Sequence, residues 1–185
     1  MRTLVLSVAL MALPFTAFAA SYSIDPDHTY PHFRISHLGF STMHGRFNKS
    51  EGKMTFDESK GTGSVEITID ANSVDTAHEK RDKHLRSPDF LNTAEFPTIT
   101  FKSSKASIKD GKGTVEGNLT MMGVSKPVTL TVTHMKCGVH PFSKKELCGF
   151  DATAKLKRSD FGVNYGLPAI GDEMELSFEV EAYKQ

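Results

Sequence analysis

The chain has 185 residues, 22 basic and 22 acidic side chains, 13 Phe, 8 Met and no Trp. That length suits one domain with a sizeable core. The balanced charge, without a basic block, argues against nucleic acid or an anionic membrane as the main partner, and no later run is apolar enough to span a bilayer.

The chain opens like a secretory signal. Met1-Arg2-Thr3 is a short basic start, Leu4 to Leu13 is apolar, and Ala17-Phe18-Ala19 offers small residues for cleavage. The expected division is a signal peptide over 1–19 and an exported, soluble domain over 20–185, bound for the periplasm. Without Arg2 the balance is 21 basic against 22 acidic residues.

Beyond the signal, strand periodicity dominates. Successive side chains of a strand point to opposite faces, so strict alternation marks a sheet with one dry and one wet face. Phe33, Ile35 and His37 share one such face; Met54 and Phe56 follow after Gly52. Beyond the Gly61-Thr62-Gly63 turn, Val65, Ile67 and Ile69 alternate with Glu66, Thr68 and Asp70.

Residues 76–90 break the period. They are charged, rich in helix formers and end near Pro88, with Leu85, Phe90 and Leu91 as the only apolar cluster. This predicts a short helix crossing one barrel end as a lid. Alternation resumes at Ile99 and Phe101, continues past Asp110-Gly111 through Val115, Leu119 and Met121, and again at Val128, Leu130 and Val132. Phe150, Ala152, Ala154 and Leu156 precede the clearest strand, where Met174, Leu176, Phe178 and Val180 alternate with four glutamates. About eight strands are predicted, enough to close an antiparallel barrel.

Cys137 and Cys148 are the only cysteines. In an exported chain a disulfide stapling a hairpin is the leading reading; a metal site with His140 and His134 lacks a standard ligand spacing. The other histidines form no ready chelate. His32 and His37 fall on opposite strand faces, His78 and His84 lie far apart around a helix, and His28, His32 and His44 converge only through tertiary folding. No metal or cofactor is therefore expected.

Several segments together resemble the YceI-like family of periplasmic lipid-binding proteins. They are Asp25-Pro26-Asp27-His28, Phe33-Arg34-Ile35-Ser36-His37, Gly45-Arg46-Phe47, Ser73-Val74-Asp75-Thr76, residues 81–92, Phe96-Pro97-Thr98-Ile99-Thr100-Phe101, residues 117–128, and Arg158-Ser159-Asp160-Phe161-Gly162. The resemblance covers essentially the whole mature chain. It implies an all-β, lipocalin-like barrel of eight antiparallel strands whose elongated pore takes a polyisoprenoid chain, such as a prenyl quinone or prenyl phosphate. Tyr30-Pro31 departs from the family pattern and suggests a kink or an edge at the first long strand. Met121-Met122 replaces a more usual β-branched pair, and the cysteine pair marks a subgroup.

The candidate lining is Phe33, Ile35, Met54, Phe56, Ile67, Leu85, Phe90, Phe101, Leu119, Met121, Leu156, Phe161, Met174, Leu176 and Phe178, since flexible thioethers and aromatic rings suit an irregular apolar ligand. Ordinary core packing accounts equally well for each of these residues alone. His37 is the candidate head-group contact, with Arg81, His84 and Arg86 of the lid; Arg81 next to Asp82 is alternatively a structural ion pair that caps the lid. No nucleophile elbow, phosphate loop, dinucleotide fingerprint or zinc-protease motif is present, so a binding module is expected rather than an enzyme. The alternatives are a periplasmic enzyme acting on an isoprenoid or quinone, and a structural stress protein with a filled core. Oligomeric state stays open, a homodimer through the outer face included.

Overall fold

The computed structural model describes residues 19–185, so the signal-peptide expectation falls almost wholly outside it. The strands are β1 (Ala20–Ile24), β2 (Tyr30–His37), β3 (Ser41–Phe47), β4 (Ser50–Asp57), β5 (Thr62–Asp70), β6 (Val74–Asp75), β7 (Thr98–Lys109), β8 (Lys112–Met121), β9 (Val124–Val139), β10 (Glu146–Lys157) and β11 (Ile170–Lys184). One helix, α1 (Glu79–Leu85), lies between β6 and β7. Every pairing is antiparallel. Because β1 pairs with both β4 and β11, the ring β1-β4-β5-β7-β8-β9-β10-β11 closes, the barrel that the alternating pattern predicts.

Three adjacent staves of the barrel are each interrupted once. A 3-10 turn at Pro26–His28 separates β1 from β2, Asn48-Lys49 separates β3 from β4, and a 3-10 turn at Ala71–Ser73 separates β5 from β6. The breaks meet at one level and are closed by side chains in place of ladder bonds. Buried Thr29 accepts from the Glu181 amide at 3.2 Å through its hydroxyl, while Ser50 Oγ donates to the Thr29 carbonyl at 2.9 Å. Ser73 Oγ accepts from the Lys49 amide at 3.0 Å. This waist divides the barrel.

Below the waist the interior is solid. Met54, Phe56, Val65, Ile67, Phe101, Val115, Val132, Phe150 and Val180 are all buried in one apolar cluster. Above it β2, β3 and β6 continue as a flap, β2 on β11, β3 on β2 and β6 on β3. β6 has no pairing with β7, and residues 76–97 with α1 fill that gap. Pro31 sits where β2 pairs with β11 but not yet with β3, whose register begins at His32, so its missing N–H costs no ladder bond on that side.

Cys137 and Cys148 are directly opposed on β9 and β10 and are joined as a disulfide, which fits an oxidising compartment. That bond excludes the pair as metal ligands. Among the described residues no helix is long and apolar enough to cross a membrane.

Removing the cross-link as Cys137→Ser with Cys148→Ser is expected to cost about 3 kcal/mol on the loop-entropy model, and so to lower Tm by roughly 6–12 °C. Thermal unfolding with and without reductant checks this, and the double variant should be insensitive to reductant. A pH effect is expected at the β4–β5 turn. The Asp57 carboxylate accepts from Lys60 Nζ at 2.8 Å and from Ser59 Oγ at 2.6 Å, and these bonds lower its pKa to about 2. A carboxyl lowered by folding stabilises fully above its ordinary value of 3.8, and that contribution is lost as pH falls through about 2. Acid unfolding of Asp57→Asn should therefore show a smaller loss of stability across that window than the unsubstituted chain.

Candidate functional site

Above the waist, the flaring strands leave space that their own side chains do not fill. The result is a cavity of about 530 Å³, lined almost wholly by apolar atoms and open toward the lid. Its volume lies within the range of about 300–1,000 Å³ that small-molecule sites occupy.

Registration across strands builds the walls. On one side Met174 lies opposite both Leu156 and Ile35, and Leu176 opposite Phe33. On the other, Ile69 on β5 faces Ile99 on β7, with Leu119 and Met121 on β8. Met43 opposes Ile35 across the β2–β3 pair. Gly45 opposes Phe33, and a Cβ at Gly45 would lie 2.3 Å from Phe33 Cζ, so the ring occupies space that only glycine leaves free.

Of the residues singled out from sequence, Phe33, Ile35, His37, Arg81, His84, Leu85, Phe90, Leu119, Met121, Leu156, Met174, Leu176 and Phe178 come together around the cavity. Met54, Phe56, Ile67 and Phe101 lie outside it, because their stretches of β4, β5 and β7 run below the waist, where inward side chains pack into the solid floor. Phe161 is also outside it. The 3-10 turn at Arg158–Phe161 rolls its ring into the core, leaving it 1% exposed.

The polar residues at the mouth are largely committed to the protein. Arg81 donates through Nε to Thr76 Oγ1 and through Nη2 to the Thr76 carbonyl, both at 2.7 Å. Buried Asp82 accepts from the amide and the hydroxyl of the same threonine. Arg81 and Asp82 thus act as a structural clasp through Thr76, the capping alternative raised by the sequence, without a direct ion pair. The His78 ring accepts from the Arg81 amide at 3.2 Å and caps α1. His84 Nε2 is 2.8 Å from Asp89 Oδ2, and its ring meets Phe90 and Tyr165 edge-on, with centroids at 5.0 and 5.1 Å. Those aromatic contacts tie the lid to the 162–169 loop. His37 stands at the rim, at the end of β2.

Several lining residues escape sequence reasoning. Val74 belongs to a two-residue strand, too short to show a period, and Tyr165 and Ile170 come from or border an irregular loop. Met43 and Phe47 carried a usable signal, since they share a strand face with Gly45 and alternate with His44 and Arg46. Arg158 borders the cavity and is 2% exposed. Its guanidinium donates to the carbonyls of Gly171, Val163 and Ile170 at 2.8, 2.9 and 3.1 Å, so it fixes the loop. Burial pushes its pKa down.

The histidines do not converge as the triad considered from sequence. Instead His28 lies with Asp25 and Glu181, ligand-type atoms within 4.8 Å of one another, outside the barrel. The 2.8 Å His28–Asp25 contact raises the His28 pKa and closes the 3-10 turn.

Comparison with known proteins agrees with this architecture. A model of the YceI-like domain matches residues 22–182. Protein YceI of Salmonella arizonae is 42% identical over 191 aligned positions, which span 100% of both chains. The crystal structure of BcnA from Burkholderia cenocepacia superposes with a TM-score of 0.75 at 26% identity, over 85% of this chain and 98% of that one. A polyisoprenoid binding domain from Saccharophagus degradans shares the fold, with a TM-score of 0.66 at 17% identity over 91% of this chain and 100% of that one. With the family model spanning nearly all the described residues, the chain belongs to the YceI-like family.

Proposed function

We propose that this protein is a periplasmic carrier that sequesters a long isoprenoid-type lipid, holding the tail in the upper half of its barrel. The observation that carries the reading is the cavity itself: about 530 Å³, almost without polar surface, above a floor already packed solid. An unfilled apolar space forfeits the dispersion contacts its walls would otherwise make, so a chain that only needed stability gains nothing by keeping it. A prenyl tail supplies those contacts and leaves water, at about 0.8 kcal/mol for each buried CH₂ before ordering costs.

The nearly apolar lining also indicates which part of the ligand is recognised. A quinone or phosphate head group buried there would lose its hydrogen bonds to water without replacement. The tail therefore lies inside and the head remains at the mouth, near His37. Membership in the YceI-like family and the polyisoprenoid-binding role named for the Saccharophagus neighbour support this ligand class. A binding role is supported by the structural bonds that hold Arg81, Asp82 and Arg158 and by the pairing of His84 with Asp89.

Native mass spectrometry with solvent extraction, on protein purified without detergent, tests the proposal. A stoichiometric prenyl lipid is expected. Met121→Trp with Leu176→Trp should fill the cavity, remove the lipid and leave Tm equal or higher. An unsubstituted chain that stays empty even when supplied with prenyl quinones and phosphates would overturn the carrier reading. Gly45→Val gives a second check: it should drive the Phe33 ring from its place and reduce lipid occupancy while the circular-dichroism spectrum stays that of a barrel.

A further inference from the structure

Two adjoining segments at the mouth are unlike the rest of the surface. The tip between β2 and β3 presents Leu38 and Phe40, 50% and 92% exposed. The neighbouring 163–171 loop presents Tyr165, 49% exposed. They are joined by the Leu38 amide donating to the Ala169 carbonyl at 2.8 Å. Neither His37–Met43 nor Val163–Gly171 contains an Asp, Glu, Lys or Arg, in a chain where 24% of residues are charged.

The tip is also conformationally costly. Leu38 holds a left-handed backbone (φ 55°), a conformation usually left to Gly or Asn. An apolar residue kept there and turned to solvent gains nothing in the folded monomer. α1 reaches the 163–171 loop, where the His84 ring meets Tyr165 at 5.1 Å. Its Arg81 and Asp82 are taken up by Thr76, and its His84 by Asp89. Lys80 and Lys83 remain exposed against Glu79 alone. A neutral apolar wedge with lysines on the adjoining helix matches the layering of a bilayer surface, with acyl chains beneath anionic head groups, while the exposed Asp160 and Glu173 next to the loop keep the charge contribution small.

We infer that the cavity rim docks reversibly on an anionic phospholipid bilayer, with the β2–β3 tip and the 163–171 loop entering the interface and α1 lying on the head groups. The inference rests on the lipid-carrier reading, because it sets the mouth where a tail passes between membrane and cavity without crossing water. The overall charge balance remains a reason to expect weak, peripheral binding, and the hold comes mainly from the apolar wedge. The opposite barrel end makes the contrast. Phe142 is 89% exposed there too, but its loop carries Lys144, Lys145 and Glu146 and lies beyond the packed floor.

Flotation of the purified protein with vesicles of phosphatidylcholine plus phosphatidylglycerol, and of phosphatidylcholine alone, tests the docking. Binding is expected to the mixed vesicles, weaker to phosphatidylcholine and weaker at high salt. Leu38→Asn with Phe40→Ser should reduce the partition coefficient about tenfold or more, while Phe142→Ser leaves it unchanged. Neither Leu38 nor Phe40 lines the cavity, so the double variant should still take up prenyl quinone from detergent solution but extract it from vesicles about tenfold more slowly. Failure of the unsubstituted protein to float, or unchanged flotation of the double variant, overturns the docking surface; a rim that instead retains a protein partner would appear as the first of these. Failure to take up lipid from detergent overturns the carrier reading and leaves the flotation result standing on its own.

Discussion

The interruption of three adjacent strands at one level is the constraint on which the rest of the structure depends. An unbroken eight-stranded barrel of this length would carry its inward side chains at even spacing from end to end and fill with them. Here Thr29, Ser50 and Ser73 supply the hydrogen bonds that the ladders lose at the waist. They allow β2, β3 and β6 to swing away from β7. The flare makes the cavity, and the unpaired side of β6 makes room for the lid. Filling, opening and covering therefore share one origin.

This arrangement answers a question the alternating pattern leaves open. Inward-facing Phe, Met and Ile look alike whether they fill a core or line a pore, and the chain uses them for both. Ile67 and Ile69 lie two residues apart on the same face of β5, yet Ile67 packs in the floor and Ile69 faces the cavity. Phe101 and Leu119 are directly opposed on β7 and β8 and are divided the same way. Periodicity reports which face a residue occupies, not how far along the barrel the neighbouring strands bend. The bends depend on Thr29, Asn48 and Ser73, which read locally as ordinary turn residues. The strands, the lid helix and the hairpin cross-link were legible because each is encoded by local alternation, charge or cysteine spacing. The cavity floor was not, because it is set by three distant turns meeting in space.

The lid shows a similar division between what residue types suggest and what geometry allows. Arginine and histidine on a mobile-looking, charged segment read naturally as ligand contacts. Arg81 is instead held by two bonds to Thr76, and Asp82 by two more to the same residue, so the start of α1 is anchored to the end of β6. Hydrogen bonds to charged groups stabilise by about 1.5–3 kcal/mol each where they are sheltered from water, so this junction favours a fixed hinge. The far end of the segment is held differently. His84 meets Phe90 and Tyr165 edge-on, and Phe90 packs tilted against Tyr165, contacts individually weaker than charged hydrogen bonds. The lid is thus anchored by hydrogen bonds at residue 76 and meets the 162–169 loop through aromatic packing at Tyr165.

The waist also limits what the cavity can accept. β2 has eight residues above it, and at about 3.3 Å per residue with a strand tilt near 40° the depth from waist to rim is roughly 20 Å. An isoprenoid tail longer than that cannot extend straight into a barrel whose lower half is filled with Met54, Phe56, Ile67 and Phe101. Such a tail would have to fold back on itself within the flare or displace residues 76–97 from the gap beside β6. Both routes favour a wide, deformable wall over a narrow tube. The residues on that wall are consistent with the demand: Met43 and Met174 flank Ile35 on one side and Met121 lies on β8, and their unbranched side chains adjust to a bent chain at little conformational cost. The packed floor sets the depth, and the methionine-bearing wall suits the bend that this depth would impose on a longer chain.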